Sequence, residues 1–517
     1  MRVVQSQQMT IGEVDVSRIT FDARSRDDIP KILKGLQYLY MQSELRTSVF
    51  DLLNRQIAPA VNKANGRPAM TLWSIFVCGV IRLDLNIDYD RLHELVNQHN
   101  TLRAMLGHGA FEDFNYHFQT LKDNVSLLTP ELLDEINQLV VKSGHALILD
   151  PKNGKKKDAP ALRGRCDSFV VETNVHYPTD INLLLDAMRK VITLSAQWCE
   201  LRGLSTWRQQ AYNLRQIKRA MRTAQNKKRS RAKDAVQQGR NEALIKRAHQ
   251  DYIACAQRYL DKAHQSLLEI EKLGLVDATD VSRKMQIEGF MAHAMRQIDQ
   301  IRRRVILGEV IAHEEKVFSI FEPHTEWISK GKAGVPVELG LKVCILEDQH
   351  QFILHHQLMQ HQSDDQLTVE MVSQARKRFA NLAVCSFDKG FHSKDNQAAL
   401  KEQLELVVLP RKGKLSQEAR MIEQAPEFVK ARRAHSAVES AINALEVHGL
   451  DVCPDHGIGG FRRYVGLAVV ARNIHRIGVI LWQREQEERK VQARHGAHRA
   501  AKRAQGYEQL RPDRLAA

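Results

Sequence analysis

Apolar residues recur three and four positions apart over most of this chain, and unbroken or alternating apolar runs replace that rhythm in only a few places. From Pro30 to about Val141, segments such as TLWSIFVCGVIRL and DYDRLHELVNQHNTLRAML carry the helical spacing between polar breaks, which predicts an all-helical N-terminal module. RCDSFVVETNVHY (Arg165–Tyr177) is rich in β-branched and aromatic residues and reads as one or two strands. PTDINLLLDAMRKVITL then resumes helical spacing from a Pro-Thr-Asp cap. From about Ser195 to Val317 the chain is helical again. Ile245, Ala248, Tyr252, Cys255 and Tyr259 make one stripe, Met291, Met295, Ile298, Ile301 and Val305 another, and a turn near Gly274 predicts an antiparallel hairpin.

Strands return with KVFSIFEP, VELGLKVCILED and FILHHQLM, the last two (Val337–Asp348 and Gln351–Met359) reading as a hairpin turning at Asp348, Gln349 and His350. A helix around Leu367–Phe379, the strand LAVCSF (Leu382–Phe387), a helix near Asn396–Leu404, the strand LELVVLP (Leu404–Pro410) and a helix from about Val429 to Val447 follow. This succession is the order of an RNase H-like mixed sheet, with the helical block as an insertion. The expected fold is therefore α/β with large α-helical parts, divided as a helical N-terminal domain (1–145), a sheet domain in two parts (146–194 and 318–450), a helical insertion (195–317), and a C-terminal helix with a basic tail (451–517). The segment after Trp482 is charged throughout and reads as a solvated helix or a basic arm.

Charge sharpens this picture. A formal charge of +15 over 517 residues draws the molecule to polyanions, nucleic acid first and anionic membrane second. The basic stretch Arg215–Arg240 looks hard to explain as one solvated face, and its Arg215, Lys218, Arg219, Arg222, Lys227, Lys228 and Arg229 are candidate DNA contacts, as are His324, Lys330 and Lys332. The lysine cluster in PKNGKKKDAPA (Pro151–Ala161) reads as an exposed linker or a DNA-contacting loop. Seven cysteines stand singly, with no C-x-x-C pair, and so read as reduced residues outside any zinc site. No leader pattern opens the sequence, and the run Tyr464–Trp482 is broken by Arg472, Asn473, His475 and Arg476, which suits a packed helix. A cytoplasmic, nucleoid-associated protein is expected, without a membrane partner.

Three carboxylates stand where this fold would bring them together. Asp167 lies on a predicted central strand, Asp388 follows LAVCSF, and Glu439 lies on the margin of the apolar stripe formed by Val438, Ile442 and Leu445, one turn beyond His435. Asp150, at the end of ALILD, also follows an apolar run and rivals Asp167 as the first of the three. Phosphodiester chemistry needs an attacking oxygen made more acidic and a leaving oxygen neutralised, which two magnesium ions about 3.5–4 Å apart achieve when carboxylates hold them. Magnesium's preference for oxygen ligands fits a chain without Cys or paired-His metal spacings. His355, His356 and His361 read as an incidental cluster on a strand and its exit rather than a metal site.

The surroundings of these residues resemble an insertion-sequence transposase of the DDE type, close to the ISNCY group, over most of the chain. The likeness is carried by GRPAMTLWSIFVCGVIRLDLNIDYDRLHELV (Gly66–Val96), by DSFVVETNVHYPTD after Asp167, by the D-[KR]-G-[FY] pattern at Asp388-Lys389-Gly390-Phe391, by IFEPHTEWISKGKAGVPVELGLKV (Ile320–Val343), and by the glycine-rich turn and apolar helix in Gly449–Gly478 after Glu439. The tyrosine, arginine and lysine that often surround the family's glutamate fall here on Arg432, His435 and Glu446, so the lysine position is acidic. The resemblance implies an enzyme whose Asp167, Asp388 and Glu439 are catalytic and hold two Mg2+ ions, with Mn2+ as a substitute. It implies DNA as the partner, both terminal inverted repeats and target, bound in part by the N-terminal helical domain, and a homo-oligomer assembled on DNA, with His435 among the DNA contacts. The competing expectations are an RNase H-like nuclease that joins no strands and a domesticated, non-catalytic DNA-binding protein.

Overall fold

The computed structural model describes residues 13–22, 24–57, 70–109, 112–149, 160–228, 234–274, 277–329 and 336–509. Asp150, Arg229, Lys330, Lys332 and most of the lysine cluster lie outside them. The protein is mixed α/β, with a seven-stranded mixed sheet, and its chain forms two compact units. One comprises Met1–Glu172 with Gly340–Ala517, the other Thr173–Leu339.

The first unit begins with seven helices: α1 (Ile29–Met41), α2 (Ser43–Ile57), α3 (Leu72–Asp84), α4 (Tyr89–Gln98), α5 (Asn100–Met105), α6 (Phe118–Val125) and α7 (Pro130–Leu149). Thr71 caps α3 by accepting from the Ser74 N–H at 3.0 Å, and every residue of α3 is buried. That helix is a core element, as an all-round apolar sequence requires. The strand β1 (Leu162–Thr173) then runs as one continuous twelve-residue strand.

The second unit is helical. It holds α8 (Asp180–Leu201), α9 (Gln210–Lys228), α10 (Ala235–Lys272), α11 (Ala278–Ile301) and the short strand β2 (Glu326–Ser329). The unit starts at Thr173 and ends at Leu339, beyond both edges of the 195–317 block, because α8 packs with α9, α10 and α11 around Trp198, Ile217 and Tyr252. Buried polar groups lock this core. Trp198 Nε1 donates to Asp280 at 3.1 Å, Trp207 Nε1 to Ser266 at 3.0 Å, and the Tyr252 hydroxyl to the Ile181 carbonyl at 3.1 Å. The α11 stripe is Ile287, Ala294, Ile298 and Ile301, while Met295 is exposed. Lys316–Pro323, expected as a strand, turns instead, with the Ser319 hydroxyl accepting from the N–H groups of Phe321 and Glu322.

The rest of the first unit comprises β3 (Val337–Glu347), β4 (Ile353–Met359), α12 (Asp364–Arg378), β5 (Leu382–Phe387), α13 (Lys394–Lys401), β6 (Leu406–Val408), α14 (Gln417–Gln424), α15 (Pro426–His435), α16 (Ala437–Leu445), β7 (Val452–Cys453) and α17 (Gly457–Gln509). Strand β3 pairs antiparallel with β1 and with β4, while β5 pairs parallel with β1 and with β6. The β3–β4 turn is built on Asp348, whose carboxylate accepts from the N–H groups of His350 (2.8 Å) and Phe352 (3.0 Å). The helix expected over Val429–Val447 breaks at Ser436 into α15 and α16.

One hydrophobic core runs from Ile32 on α1 through Phe76 on α3 and Ile345 on β3 to Phe461 and Ile474 on α17, so residues on both sides of positions 145 and 450 share it. Helix α17 packs on α1, α3, α7 and β4. It is long and apolar enough to cross a membrane by length and composition, and 72% of its apolar window is buried inside the protein. The α1–α17 crossing is close enough to need glycine, since a Cβ at Gly478 would run into the carbonyl of Lys31 and one at Gly35 into that of Ile474. Beyond Gln486 the α17 side chains are exposed as far as they are described.

Candidate active site

The parallel pairing of β1 with β5 aligns Cys166 with Phe387, so the next residue on each strand is a carboxylate, Asp167 and Asp388. Helix α15 packs on β5 and β6, and its last residue, His435, meets the Ser386 hydroxyl through Nδ1 at 3.1 Å. That contact fixes the chain where it breaks, and α16 then presents Glu439 one turn later. Asp388 and Glu439 are exposed and Asp167 is half-buried.

Charge records their proximity. Burial pushes the Asp167 carboxyl up to about 6, and the charges of Asp388, Asp364 and Glu439 add to that rise against the Ser168 N–H, which donates to Asp167 Oδ1 at 2.7 Å. Burial keeps His435 toward its neutral form, opposed by Asp388 and Glu439. Among the described residues no lysine or arginine forms an ion pair with Asp167, Asp388 or Glu439, and two nearby cations are committed elsewhere. Arg165 pairs with Glu347 at 3.0 Å and Lys342 with Asp364 at 3.2 Å.

Asp364 is the residue that sequence reasoning missed. It sits in the first turn of α12, accepts from the Ser168 hydroxyl at 2.6 Å and from Lys342, and lies 3.3 Å from where a Cβ on Gly390 would be. The Asp-Lys-Gly-Phe segment thereby gains a physical reading. Gly390 makes room for Asp364, and Phe391 plugs the core against Phe387 while its carbonyl accepts from Thr368 and Asn396.

The basic residues fall in several places. Arg215, Lys218, Arg219 and Arg222 share the exposed face of α9 opposite Asn213, Ile217, Met221 and Ala224, so they form one solvated face rather than a girdle. Lys227 is exposed near the end of that helix, and Lys228 is its last residue. His324 is tucked beside Glu322, and burial lowers its basicity. In the first unit Lys389, Arg411, Lys412 and Arg433 are exposed on segments next to the carboxylates, and Lys412 Nζ donates to the Gly390 carbonyl at 3.1 Å. On β4, His355 is buried against Arg378 of α12, and burial pushes it down to about 3, while His361 lies exposed past the strand end.

The tight ligand cluster among the described residues lies elsewhere. Asp84, His448 and His475 hold their ligand atoms within 4.8 Å of one another, and this buried Asp/His/His group could hold a metal ion. No family model matches the chain, and no match was found among curated proteins or solved structures.

Proposed function

We propose that this chain is a DDE-type transposase with an RNase H-like sheet, cutting DNA and transferring the freed 3′ end to a target. The carrying observation is the register of β1 on β5, which brings Asp167 and Asp388 side by side, with Glu439 close enough for its charge to help raise Asp167. The sheet order supports the same reading. Strand β1 has β3 beside it antiparallel, with β4 antiparallel on β3 in turn, and on its other side β5 and then β6 add in parallel.

The donor set suits Mg2+. It is all oxygen, and the carboxylates carry charge that no lysine or arginine neutralises among the described residues. Asp167, Asp388 and Glu439 would hold the ions, whose chemistry when bound is to acidify the attacking oxygen and neutralise the leaving one. The protein's own groups prepare that step. Ser168 N–H orients the Asp167 carboxylate, the Ser386–His435 contact anchors the start of α16, and exposed Lys389, Arg411, Lys412 and Arg433 offer phosphate contacts beside the site. On α9, Arg215, Lys218, Arg219 and Arg222 offer a further basic face, for which binding should weaken steeply as salt rises.

The test uses purified protein, Mg2+ and labelled DNA from either side of its gene. Cleaved ends and joined products are expected from the wild type, and neither from Asp388→Asn, which should bind the same DNA within about twofold because phosphate contacts dominate affinity. Strand transfer retained by Asp388→Asn would overturn the assignment. Cleavage without joined products would reduce it to a nuclease.

A further inference from the structure

We infer a second metal site, structural and selective for a transition ion such as Zn2+, formed by Asp84, His448 and His475. Its three residues come from separate parts of the first unit. Asp84 ends α3, His448 lies in the turn Glu446–Leu450 that follows α16, and His475 is in the buried half of α17. The His475 Nδ1 atom is 2.9 Å from Asp84 Oδ1, and His448 Nδ1 is 3.7 Å from the same oxygen. A tetrahedral zinc with arms of about 2.0–2.1 Å sets its ligand atoms roughly 3.3 Å apart, a value these two distances straddle.

Charge argues the same way. The Asp84 side chain is fully buried, and among the described residues no lysine or arginine pairs with it. Its charge is felt by Arg472 without a direct ion pair, so the two imidazoles are the groups in contact with it, and a buried carboxylate held this way gains from a cation placed between them. Two imidazoles, with ring centroids 5.0 Å apart, complete a nitrogen-rich donor set that suits zinc and disfavours magnesium. Hydrogen bonds already draw the cluster together, His475 to the Asp84 carboxylate and His448 to the Asp84 carbonyl. An ion would replace those shared protons and pin the turn behind α16 to α3 and α17.

This site is independent of the carboxylates on β1 and β5, and the experiment separates the two. Chelator-treated wild-type protein, Asp167→Asn/Asp388→Asn, His448→Gln and His475→Gln are each dialysed against Zn2+, assayed for bound metal, and titrated with Co2+. One tightly held equivalent, an intense visible Co2+ band and a raised Tm with Zn2+ are expected for the wild type and the double Asp variant. Less than a tenth of an equivalent is expected for each His variant. Wild-type protein that retains no zinc and shows no such Co2+ band, or His variants that bind like the wild type, would overturn the inference. If the His variants do not fold, the wild-type zinc content and Co2+ spectrum decide it.

Discussion

Replacing Asp167 by Asn should stabilise the protein in the absence of metal, although the change removes a residue assigned to the active site. In the unfolded chain the carboxyl ionises near 3.8, and in the folded protein burial and three neighbouring carboxylates push it up to about 6. At about 1.4 kcal/mol per pH unit, holding that charge in the fold costs up to roughly 3 kcal/mol, and partial exposure brings the expectation to roughly 1–3 kcal/mol. Between those two values the folded state binds the extra proton, so stability falls as pH rises from about 4 to about 6, and the whole cost is present above 6. Asn is never charged and keeps an oxygen for the Ser168 N–H. Calorimetric unfolding in EDTA should therefore give matching Tm values for variant and wild type near pH 4, and a variant roughly 1–4 °C higher at pH 7.5. Adding Mg2+ at pH 7.5 should narrow or reverse that gap, because only the wild type keeps the full ligand set. A variant less stable than wild type at pH 7.5 in EDTA, or a gain of equal size at both pH values, would refute the electrostatic argument.

Gly478→Ala should destabilise the first unit by roughly 3 kcal/mol or more, since its Cβ meets backbone on α1 rather than a side chain able to move; denaturant unfolding measures it, and a loss under about 1 kcal/mol would contradict the close crossing. Asp455→Ala should cost roughly 3–5 kcal/mol. It strands Arg82, which is 3% exposed, 2.8 Å from Asp455, and set over the rings of Tyr89 and Tyr464; urea titration of the variant beside Arg82→Met, which removes the charge itself, should show the Asp455 variant as the weaker.

What the sequence makes legible is the part of the fold written in local pattern. LAVCSF is β5 to the residue, the hairpin turns at Asp348, and the Asp-Lys-Gly-Phe segment lies at the strand end where its spacing puts it. The unit boundary at Thr173 is not legible, because α8 follows β1 with the caps and stripe of an ordinary crossover helix, and only its packing on α9, α10 and α11 assigns it to the other unit. Asp364 resembles any acidic residue in a first helical turn, and its link to Ser168 crosses 196 positions. Asp84, His448 and His475 share no local motif at all. The break at Ser436 escapes periodicity because the apolar spacing runs on through it, and it is the Ser386–His435 contact that marks the place.

The pairing of β1 with β5 also sets an order of events during synthesis. Asp167 leaves the ribosome long before its partner strand, and the intervening Thr173–Leu339 segment has a hydrophobic core of its own to form in the meantime. At about 5–20 residues per second, Glu439 follows Asp167 by an interval on the order of tens of seconds. Closing a loop that has already condensed costs less entropy than closing a free chain of the same length. Any chemistry that needs all three carboxylates is therefore silent in the nascent chain, and it begins only when most of the protein has been made.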